Sequence, residues 1–344
     1  MQELRPRRVR LLLDWAALQP RRDRPADLRA PRDGCLRGLA PCAPYAGVGE
    51  QLEAAASLER HGHEVEVAVV VHGVPEWAAR GPSGCERAED TPRSRPLAPD
   101  GRAAYGELVR DVTALARRAG ARLRWWSPWN EPNHPRFVSP QRAACDPGSP
   151  ALAPAVYAGL VRTARAALPE GVGLVLGELA GYDEPTAHTS GVEEFVAALP
   201  RDVACAPGAV WAVHQFAGPR GTRSSRSADA VRTLRSALGR RPCSRDAPIW
   251  VTETGAGALR PGRARAGTEA ELAASCRGFA RALARWAADP RIQGVFQYTV
   301  REDPLHPVGL ADPGLTRVYP VARLLAAWAR TAPGEAPPGP QTCG

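Results

Sequence analysis

Two glutamates each end a short stretch whose composition is that of a β-strand. Residues 122–131 have the sequence Arg-Leu-Arg-Trp-Trp-Ser-Pro-Trp-Asn-Glu, and Pro132 stops the strand because proline cannot donate a hydrogen bond to a sheet. Residues 248–253 have the sequence Pro-Ile-Trp-Val-Thr-Glu, and a turn with glycine follows. Removing a carboxylate from water is costly, so a glutamate at the end of a buried strand usually has a chemical role. Glu131 and Glu253 are therefore the candidate catalytic residues.

Hydrolysis of a glycosidic bond needs two carboxyl groups of this kind. One of them protonates the leaving oxygen, while the other attacks the sugar or activates water. The sequence Trp-Asn-Glu-Pro at 129–132, followed by Thr-Glu-Thr-Gly at 252–255, resembles the retaining (β/α)8 glycosidases of glycoside hydrolase clan A, a cellulase- and β-xylosidase-like superfamily. In that clan the acid/base glutamate ends strand four, and the nucleophilic glutamate ends strand seven.

The resemblance implies a role for three residues of this chain. Glu131 would be the acid/base, Asn130 would hold the 2-hydroxyl group of the sugar, and Glu253 would be the nucleophile. The two carboxyl groups should then be about 5–5.5 Å apart, and the reaction should proceed with retention through a glycosyl-enzyme intermediate. Glu131 must hold a proton, so we expect its pKa to be raised by the second carboxylate and by the tryptophans around it.

Strand-like and helix-like patterns alternate along the rest of the chain. Apolar, β-branched stretches predict strands at 9–15, 65–71, 122–131, 172–176, 209–216, 248–253 and 292–300. Apolar residues at helical spacing predict helices at 49–60, 103–119, 153–168, 192–199, 228–238, 269–287 and 318–329. This alternation predicts a parallel sheet with right-handed crossovers, in an α/β fold of the TIM (β/α)8-barrel type.

Seven β/α units are visible in the sequence, whereas a closed barrel has eight. Glu131 lies on the third visible strand and Glu253 on the sixth, a separation of three strands that matches the clan. The simplest account is that the first barrel strand is missing at the N-terminus, so that residues 1–8 are the end of the first helix. We expect one catalytic barrel domain over 1–330 and a Pro/Gly-rich tail over 331–344.

In a parallel barrel, the functional site forms at the C-terminal ends of the strands, which we call the mouth of the barrel. Sugars present apolar C–H faces, so aromatic side chains suit a sugar-binding site there. Trp15, Trp77 and Trp129 are the aromatic platforms that we expect at the mouth. Tryptophan is also a common core residue, and the sequence leaves both interpretations open for each of them.

Four polar residues near the same strand ends are further candidates for substrate binding: His72, Glu178, His214 and Tyr298. His72 is also compatible with a structural histidine bonded to the backbone, and Glu178 with an ion pair to an arginine. His214 resembles the histidine of the clan's strand-six His-x-Tyr motif, but Phe216 stands where the tyrosine is expected. Because that tyrosine often hydrogen-bonds the nucleophile in relatives, Tyr298 is the candidate for orienting Glu253.

Composition argues against several other classes of function. The chain has 344 residues and a net charge of +9, but its basic residues are all arginine and are scattered rather than gathered in one stripe, which argues against nucleic-acid binding. The lack of lysine, with abundant alanine, proline and glycine, is typical of a GC-rich, actinobacterial-type coding sequence. No stretch of about 18 apolar residues could span a membrane, and no metal-binding or nucleotide-binding motif is present. We expect a monomer that needs no metal and no cofactor.

The eight cysteines include no Cys-x-x-Cys pair. An even number of cysteines in loops and near the chain ends suggests disulfides and an oxidising compartment, with Cys35–Cys42, Cys85–Cys145 and Cys205–Cys243 as the expected pairs. Free cysteines in a cytosolic enzyme are the alternative. No signal peptide is visible, and on the secreted interpretation it would have stood upstream with the missing strand.

Two other functions are compatible with the same sequence. A non-catalytic sugar-binding barrel is favoured by Phe216 and by the missing strand, but a binding protein has no need of two carboxylates three strands apart. A barrel that acts on a substrate other than a sugar is the second alternative, because a fold does not determine a function. The sequence names no particular sugar or linkage.

Overall fold

The computed structural model describes residues 4–29, 32–35, 44–45, 47–217, 229–257, 267–302, 307–331 and 335–344. In these ranges the strands are β1 (Arg8–Asp14), β2 (Arg32–Cys35), β3 (Pro44–Tyr45), β4 (Glu66–His72), β5 (Arg122–Ser127), β6 (Gly173–Leu179), β7 (Val210–His214), β8 (Ile249–Thr254) and β9 (Ile292–Gln297). The α-helices are α1 (Trp15–Leu18), α2 (Val48–Arg60), α3 (Pro99–Ala119), α4 (Ala153–Ala167), α5 (Val192–Ala198), α6 (Arg201–Ala204), α7 (Ala230–Gly239), α8 (Glu269–Ala287) and α9 (Pro320–Trp328). None of the helices in the described ranges is both long and apolar enough to cross a membrane.

Seven of the strands form one parallel sheet, in the order β1-β4-β5-β6-β7-β8-β9. A helix lies between each strand and the next along this order, and the sheet curls into a partial (β/α)8 barrel. The predicted α/β class and its seven visible units are therefore confirmed. The strands β2 and β3 form a separate antiparallel pair in a segment for which the sequence analysis predicted neither strand nor helix, because such short strands leave little pattern to detect.

Apolar side chains are buried on both faces of the curled sheet. Towards the helices, Val67, Val69 and Val71 of β4 are fully buried in the larger part of the core. Inside the curl, the indole rings of Trp125 and Trp250 have centroids 4.8 Å apart, and Phe296 lies 5.3 Å from Trp250. A strand that is buried on both faces must be apolar at every position, which explains the continuous apolar stretches of the sequence.

Arg8 connects the first and last strands of the sheet. Its Nη1 donates to the carbonyl of Gln293 on β9 at 3.1 Å, and its Nε donates to Oε2 of Glu66 on β4 at 2.9 Å. The guanidinium also lies over the ring of Trp250, 4.9 Å from its centroid. The curl of the sheet thus brings β1 and β9 within reach of one arginine side chain.

Three disulfides join parts of the chain that are far apart in sequence. The expected pairs Cys85–Cys145 and Cys205–Cys243 are confirmed. The third disulfide, Cys276–Cys343, was not among the expected pairs. The expected Cys35–Cys42 pair lies outside the residues whose side chains the structure describes.

The Cys276–Cys343 disulfide fixes the C-terminal tail to α8. Cys343 is fully buried, and it lies in a short 3-10 helix, Pro340–Cys343. Arg323 of α9 adds a hydrogen bond from Nη2 to the carbonyl of Gly344 at 3.4 Å. The division into a barrel over 1–330 and a tail over 331–344 stays a prediction.

Gly173 offers a direct test of the packing inside the curl. A Cβ atom at this position would lie 2.6 Å from the ring of Trp125, so Gly173→Ala forces that ring out of its place. We expect a loss of about 1–3 kcal/mol in the free energy of unfolding, measured by urea denaturation. Gly159 of α4 is the control, because a Cβ there meets no atom within 4 Å and alanine favours a helix by about 0.5–1 kcal/mol. Equal effects of the two substitutions would contradict this packing.

Candidate active site

Glu131 lies just beyond β5, in a loop that is hydrogen-bonded to both neighbouring strands. The backbone N–H of Asn130 donates to the carbonyl of Val71 on β4 at 2.9 Å, and the N–H of Glu131 donates to the carbonyl of Glu178 on β6 at 3.0 Å. Glu131 has a φ of +38°, in a region that few residues other than glycine adopt. Strain of this kind is typical of functional sites, where surrounding contacts hold the residue in place.

Asn133 fixes the loop of Glu131 to the loop that follows β6. Its side-chain amide donates to the carbonyls of Ala180 at 2.9 Å and Ser190 at 3.1 Å. Its side-chain oxygen accepts a hydrogen bond from the N–H of Ala180 at 2.8 Å, and the residue is completely buried. The sequence analysis did not single out Asn133, and an asparagine between two prolines gave only a turn signal.

Glu253 belongs to β8 and faces the same end of the barrel as Glu131. It pairs in register with His214 of β7, and its carbonyl accepts a hydrogen bond from the N–H of Gln215 at 3.0 Å. One carboxylate oxygen of Glu131, one of Glu253 and one ring nitrogen of His214 all lie within 4.8 Å of one another. The fold therefore brings the two candidate catalytic glutamates into one cluster.

His214 lies between three carboxyl groups. Its Nδ1 is 2.7 Å from Oε1 of Glu131 and 3.6 Å from Oε2 of Glu253, and its Nε2 is 3.0 Å from Oε2 of Glu178. Only 2% of the imidazole side chain is exposed. The histidine contacts the acidic groups themselves, and its expected contact with substrate stays a prediction.

Arg10 of β1 is a member of this cluster that the sequence analysis missed. Its Nη1 donates to Oε1 of Glu253 at 2.8 Å, and its Nη2 donates to Oδ1 of Asn130 at 2.6 Å. Nη2 and Nε also contact the two carboxylate oxygens of Glu178, at 3.1 and 3.4 Å. The available signal was a single arginine within the otherwise apolar stretch Val9–Leu13, where a buried charge needs partners.

Burial and charge pairing act in opposite directions on the pKa values of this cluster. Burial alone would raise the pKa of Glu178, but the charge of Arg10 and a hydrogen bond from His214 outweigh it and lower the pKa to about 2. Burial alone would lower the pKa of His214, but the charge of Glu253 and hydrogen bonds to Glu131 and Glu178 raise it to about 10. At neutral pH both Arg10 and His214 therefore carry a positive charge.

The ligand atoms of Glu131, His214 and Glu253 are close enough together for a metal ion to be considered. A histidine that binds a metal must be neutral, and the raised pKa of His214 opposes that state. The guanidinium of Arg10 beside Glu253 brings a further positive charge to the same place. Charge pairs between side chains join the groups of this cluster, and the expectation that no metal is needed stays a prediction.

The three tryptophans expected as aromatic platforms are packed against other parts of the protein. Trp15 and Trp129 are 0% and 1% exposed, and both rings pack against Tyr105. Trp77 is half-buried, with its ring centroid 6.1 Å from that of Trp15. All three indole N–H groups donate hydrogen bonds within the protein. The structure gives them a packing role, and their contact with a sugar stays a prediction.

Four other aromatic rings lie at or beyond the ends of β4, β5 and β6, and the sequence analysis did not treat them as one group. They belong to His72, His134, Phe137 and Tyr182. His72, at the end of β4, packs edge-on against Phe137 at 5.8 Å. His134 lies 5.8 Å from Phe137 and 5.7 Å from Tyr182. These rings belong to the strand end and loops beside Glu131 and Glu178, so they form an aromatic row on that side of the mouth.

Phe216 and Tyr298 form a second aromatic pair, beyond the ends of β7 and β9. Their ring centroids are 6.3 Å apart in an edge-on arrangement. Phe216 has no hydroxyl group, so it cannot donate the hydrogen bond that a tyrosine at this position would give to Glu253. Arg10 donates a hydrogen bond to this carboxylate instead. A role for Tyr298 in orienting Glu253 stays a prediction.

No protein-family model matches this chain, and no curated protein matches it in sequence. Among solved structures, a conserved exported protein from Bacteroides fragilis superposes with a TM-score of 0.60 at 15% identity, over 95% of this chain and 69% of that chain. The GH53 catalytic domain of Ignisphaera aggregans superposes with a TM-score of 0.52 at 17% identity, over 93% of this chain and 83% of that chain. Both comparisons establish a shared fold.

A glycoside hydrolase family 30 subfamily 8 xylanase from Clostridium acetobutylicum is a third structural neighbour. It superposes with a TM-score of 0.51 at 13% identity, over 94% of this chain, and the chain spans 64% of that xylanase. Structural neighbours of this partial barrel thus include glycoside hydrolases from different families.

Stability should depend on pH through His214. Its pKa is raised from 6.5 to about 10 in the folded protein, so the stability it contributes is fully present below pH 6.5 and is lost as the pH rises through about 10. We expect the free energy of unfolding to fall by about 2–4 kcal/mol over this range. The measurement is urea denaturation at several pH values, with the disulfides intact.

The variant His214→Asn isolates this contribution because it removes the titrating group. It should be less stable than the wild type at pH 6.5, but it should lose much less stability as the pH rises towards 10. Parallel stability curves for the two proteins would show that His214 is not the charged group inferred from its contacts.

Proposed function

We propose that the chain is a retaining glycoside hydrolase that cleaves O-glycosidic bonds of a poly- or oligosaccharide or a glycoconjugate. Glu131 acts as acid/base and Glu253 as nucleophile. The observation that carries this proposal is the approach of one carboxylate oxygen from each glutamate to within 4.8 Å, across strands that are three places apart in the sheet. Inverting enzymes separate their carboxyl groups by about 6.5–9.5 Å to admit a water molecule, so the shorter distance supports retention.

In the first step, Glu131 donates its proton to the leaving oxygen while Glu253 attacks the anomeric carbon. The bond from that carbon to the leaving oxygen breaks as the bond to Glu253 forms, which gives a glycosyl-enzyme and a free alcohol. The greater exposure of Glu131, at 19% of its side chain against 12% for Glu253, suits a group that must meet the leaving part of the substrate.

In the second step, Glu131 removes a proton from water and the resulting hydroxide attacks the anomeric carbon. The bond to Glu253 breaks, the sugar leaves with its original configuration, and Glu131 is protonated again. Arg10 donates to one oxygen of Glu253 and to the side chain of Asn130. It therefore holds the proposed nucleophile close to the residue that is expected to bind the 2-hydroxyl group of the sugar.

The surroundings of the cluster support a carbohydrate substrate. Aromatic rings on both sides of the mouth suit the apolar faces of a sugar, and structural neighbours include a xylanase and a GH53 domain. Three disulfides support a secreted or extracytoplasmic location. The proposed enzyme acts as a monomer, without a metal, a cofactor or a nucleic-acid partner.

Labelling with a panel of 2-deoxy-2-fluoro glycosyl fluorides tests the mechanism. These reagents form the glycosyl-enzyme but slow its hydrolysis, so we expect a mass gain of one sugar on the intact protein, located on Glu253 by peptide mapping. The sugar that labels the protein also identifies the accepted glycone. Labelling of another residue, or of none by any sugar, would contradict the proposal and favour the sugar-binding alternative.

Two variants separate the roles of the glutamates. Glu253→Ala should reduce kcat by about 10⁴-fold or more on every substrate, because no nucleophile remains. Glu131→Ala should reduce the rate about 10²–10⁴-fold for substrates with poor leaving groups, but much less for activated aryl glycosides, which need no protonation. Equal losses on both kinds of substrate would remove Glu131 from the acid role.

A further inference from the structure

Glu178 is a third carboxyl group in the cluster, and the two proposed catalytic roles do not use it. Only 2% of its side chain is exposed, and its φ of +52° coincides with a shift in the register of β6 against β7 between Gly177 and Leu179. Its Oε2 accepts hydrogen bonds from Arg10 at 3.1 Å, His214 at 3.0 Å and Thr252 at 2.6 Å. Its Oε1 accepts from Nε of Arg10 at 3.4 Å. Both carboxylate oxygens thus contact groups of the protein, and the expected contact of Glu178 with substrate stays a prediction.

The contact with His214 has a chemical consequence for Glu131. A neutral imidazole has one N–H group, whereas His214 faces a carboxyl group with each of its two ring nitrogens. Glu178 is an acceptor only, so it requires the proton on Nε2. With the proton on Nε2 bound by Glu178, Nδ1 faces Oε1 of Glu131 at 2.7 Å, and Oε2 of Glu253 is farther away at 3.6 Å. In the charged imidazole, Nδ1–H is therefore a donor to Glu131.

We propose that Glu178 is a positioning residue that binds Nε2–H of His214 and thereby commits Nδ1 to Glu131. This inference rests on the proposed function, in which Glu131 gives its proton to the leaving oxygen. The carboxylate formed in that step then accepts a hydrogen bond from the Nδ1–H of a positively charged imidazole. Glu178 therefore makes Glu131 a stronger acid without touching the substrate.

Within the described residues, the charged groups that contact His214 are consistent with this arrangement. Glu131, Glu178 and Glu253 face the ring from β6, β8 and the loop beyond β5. Arg10 forms ion pairs with Glu178 and Glu253. The charges of the three glutamates favour a charged imidazole, and the raised pKa of His214 follows from them. Behind Glu178, the hydroxyl of Tyr157 on α4 accepts a hydrogen bond from the N–H of Gly177 at 2.8 Å.

The simpler role for Glu178 is that of a counter-ion for Arg10. Loss of a counter-ion would lower stability and would slow every substrate alike. Loss of a positioning residue for the acid would change the proton affinity of His214, and it would slow chiefly those substrates whose leaving group must be protonated. These two roles predict different outcomes for the same variant.

The first experiment is an NMR titration of the imidazole of His214 in the full chain, with its resonances identified by their loss in His214→Asn. In the wild type, both ring nitrogens should remain protonated at pH 8, in keeping with a pKa near 10. In Glu178→Gln, the titration should move down by at least about one pH unit, a tenfold loss of proton affinity. A neutral His214 at pH 7 in the wild type would overturn the inference even if the variant failed to fold.

Thr252→Val is the matched control. It removes one hydrogen bond to the same carboxylate at an equally buried position, but it leaves the charge and the contact with His214 in place. Its His214 titration should lie within about half a pH unit of the wild type. A shift in Thr252→Val as large as that in Glu178→Gln would point to a general disturbance of the site and overturn the inference.

The second experiment compares leaving groups. Glu178→Gln should lose about 10²-fold in kcat/KM on a glycoside with a poor leaving group and less than about 5-fold on an activated aryl glycoside. Equal losses would support the counter-ion role and overturn the inference.

The titration of His214 does not depend on turnover, so it separates this inference from the proposed function. If the His214 titration shifts in Glu178→Gln while no fluoro sugar labels the wild type, the coupling between Glu178 and His214 holds and the proposed function fails. An unchanged titration in a labelled, active enzyme overturns this inference alone.

Discussion

Three carboxyl groups at one end of the barrel, one buried and two half-buried, are the constraint on which the site depends. Glu131, Glu178 and Glu253 converge on His214, and buried carboxylates repel one another strongly in a medium of low dielectric constant. Arg10 and a protonated His214 supply two positive charges, so one proton shared among the three carboxyl groups makes the cluster neutral. The cluster is therefore neutral when one of its three carboxyl groups is protonated. This state suits the proposed pair, in which Glu131 is the acid and Glu253 is a carboxylate.

The strand β1 provides both this charge compensation and the contact across the open side of the barrel. Arg8 and Arg10 are two residues apart, so they point to the same face of the strand. Arg8 reaches the carbonyl of Gln293 on the last strand, whereas Arg10 reaches Glu253. An arginine can span such distances because its long stem packs along apolar surface while its planar head group makes several hydrogen bonds.

The sequence predicted the parts of this molecule that are local in the chain. The α/β order followed from apolar stretches that alternate with helical patterns. The two glutamates were singled out because each lies near the end of its own strand-like stretch, Glu131 just beyond β5 and Glu253 at the last but one residue of β8. Arg10 was missed because its partner Glu253 is 243 residues away, and no local pattern records such a contact. The tryptophans were ambiguous for a similar reason: composition does not say whether an indole ring packs under a helix, as Trp15 does, or faces the mouth.

Backbone strain and side-chain charge act together at the mouth. Glu131 and Glu178 both have positive φ values, 38° and 52°, and the N–H of the first donates to the carbonyl of the second. Each such conformation costs about 1–3 kcal/mol, and it persists only where other contacts determine it. Here those contacts include the hydrogen bonds of Asn133 and the charges around His214. Because folding already fixes these side chains, the proposed transfer of charge between Glu131 and a substrate would need little further reorganisation. That is the condition under which fixed charges stabilise a transition state most effectively.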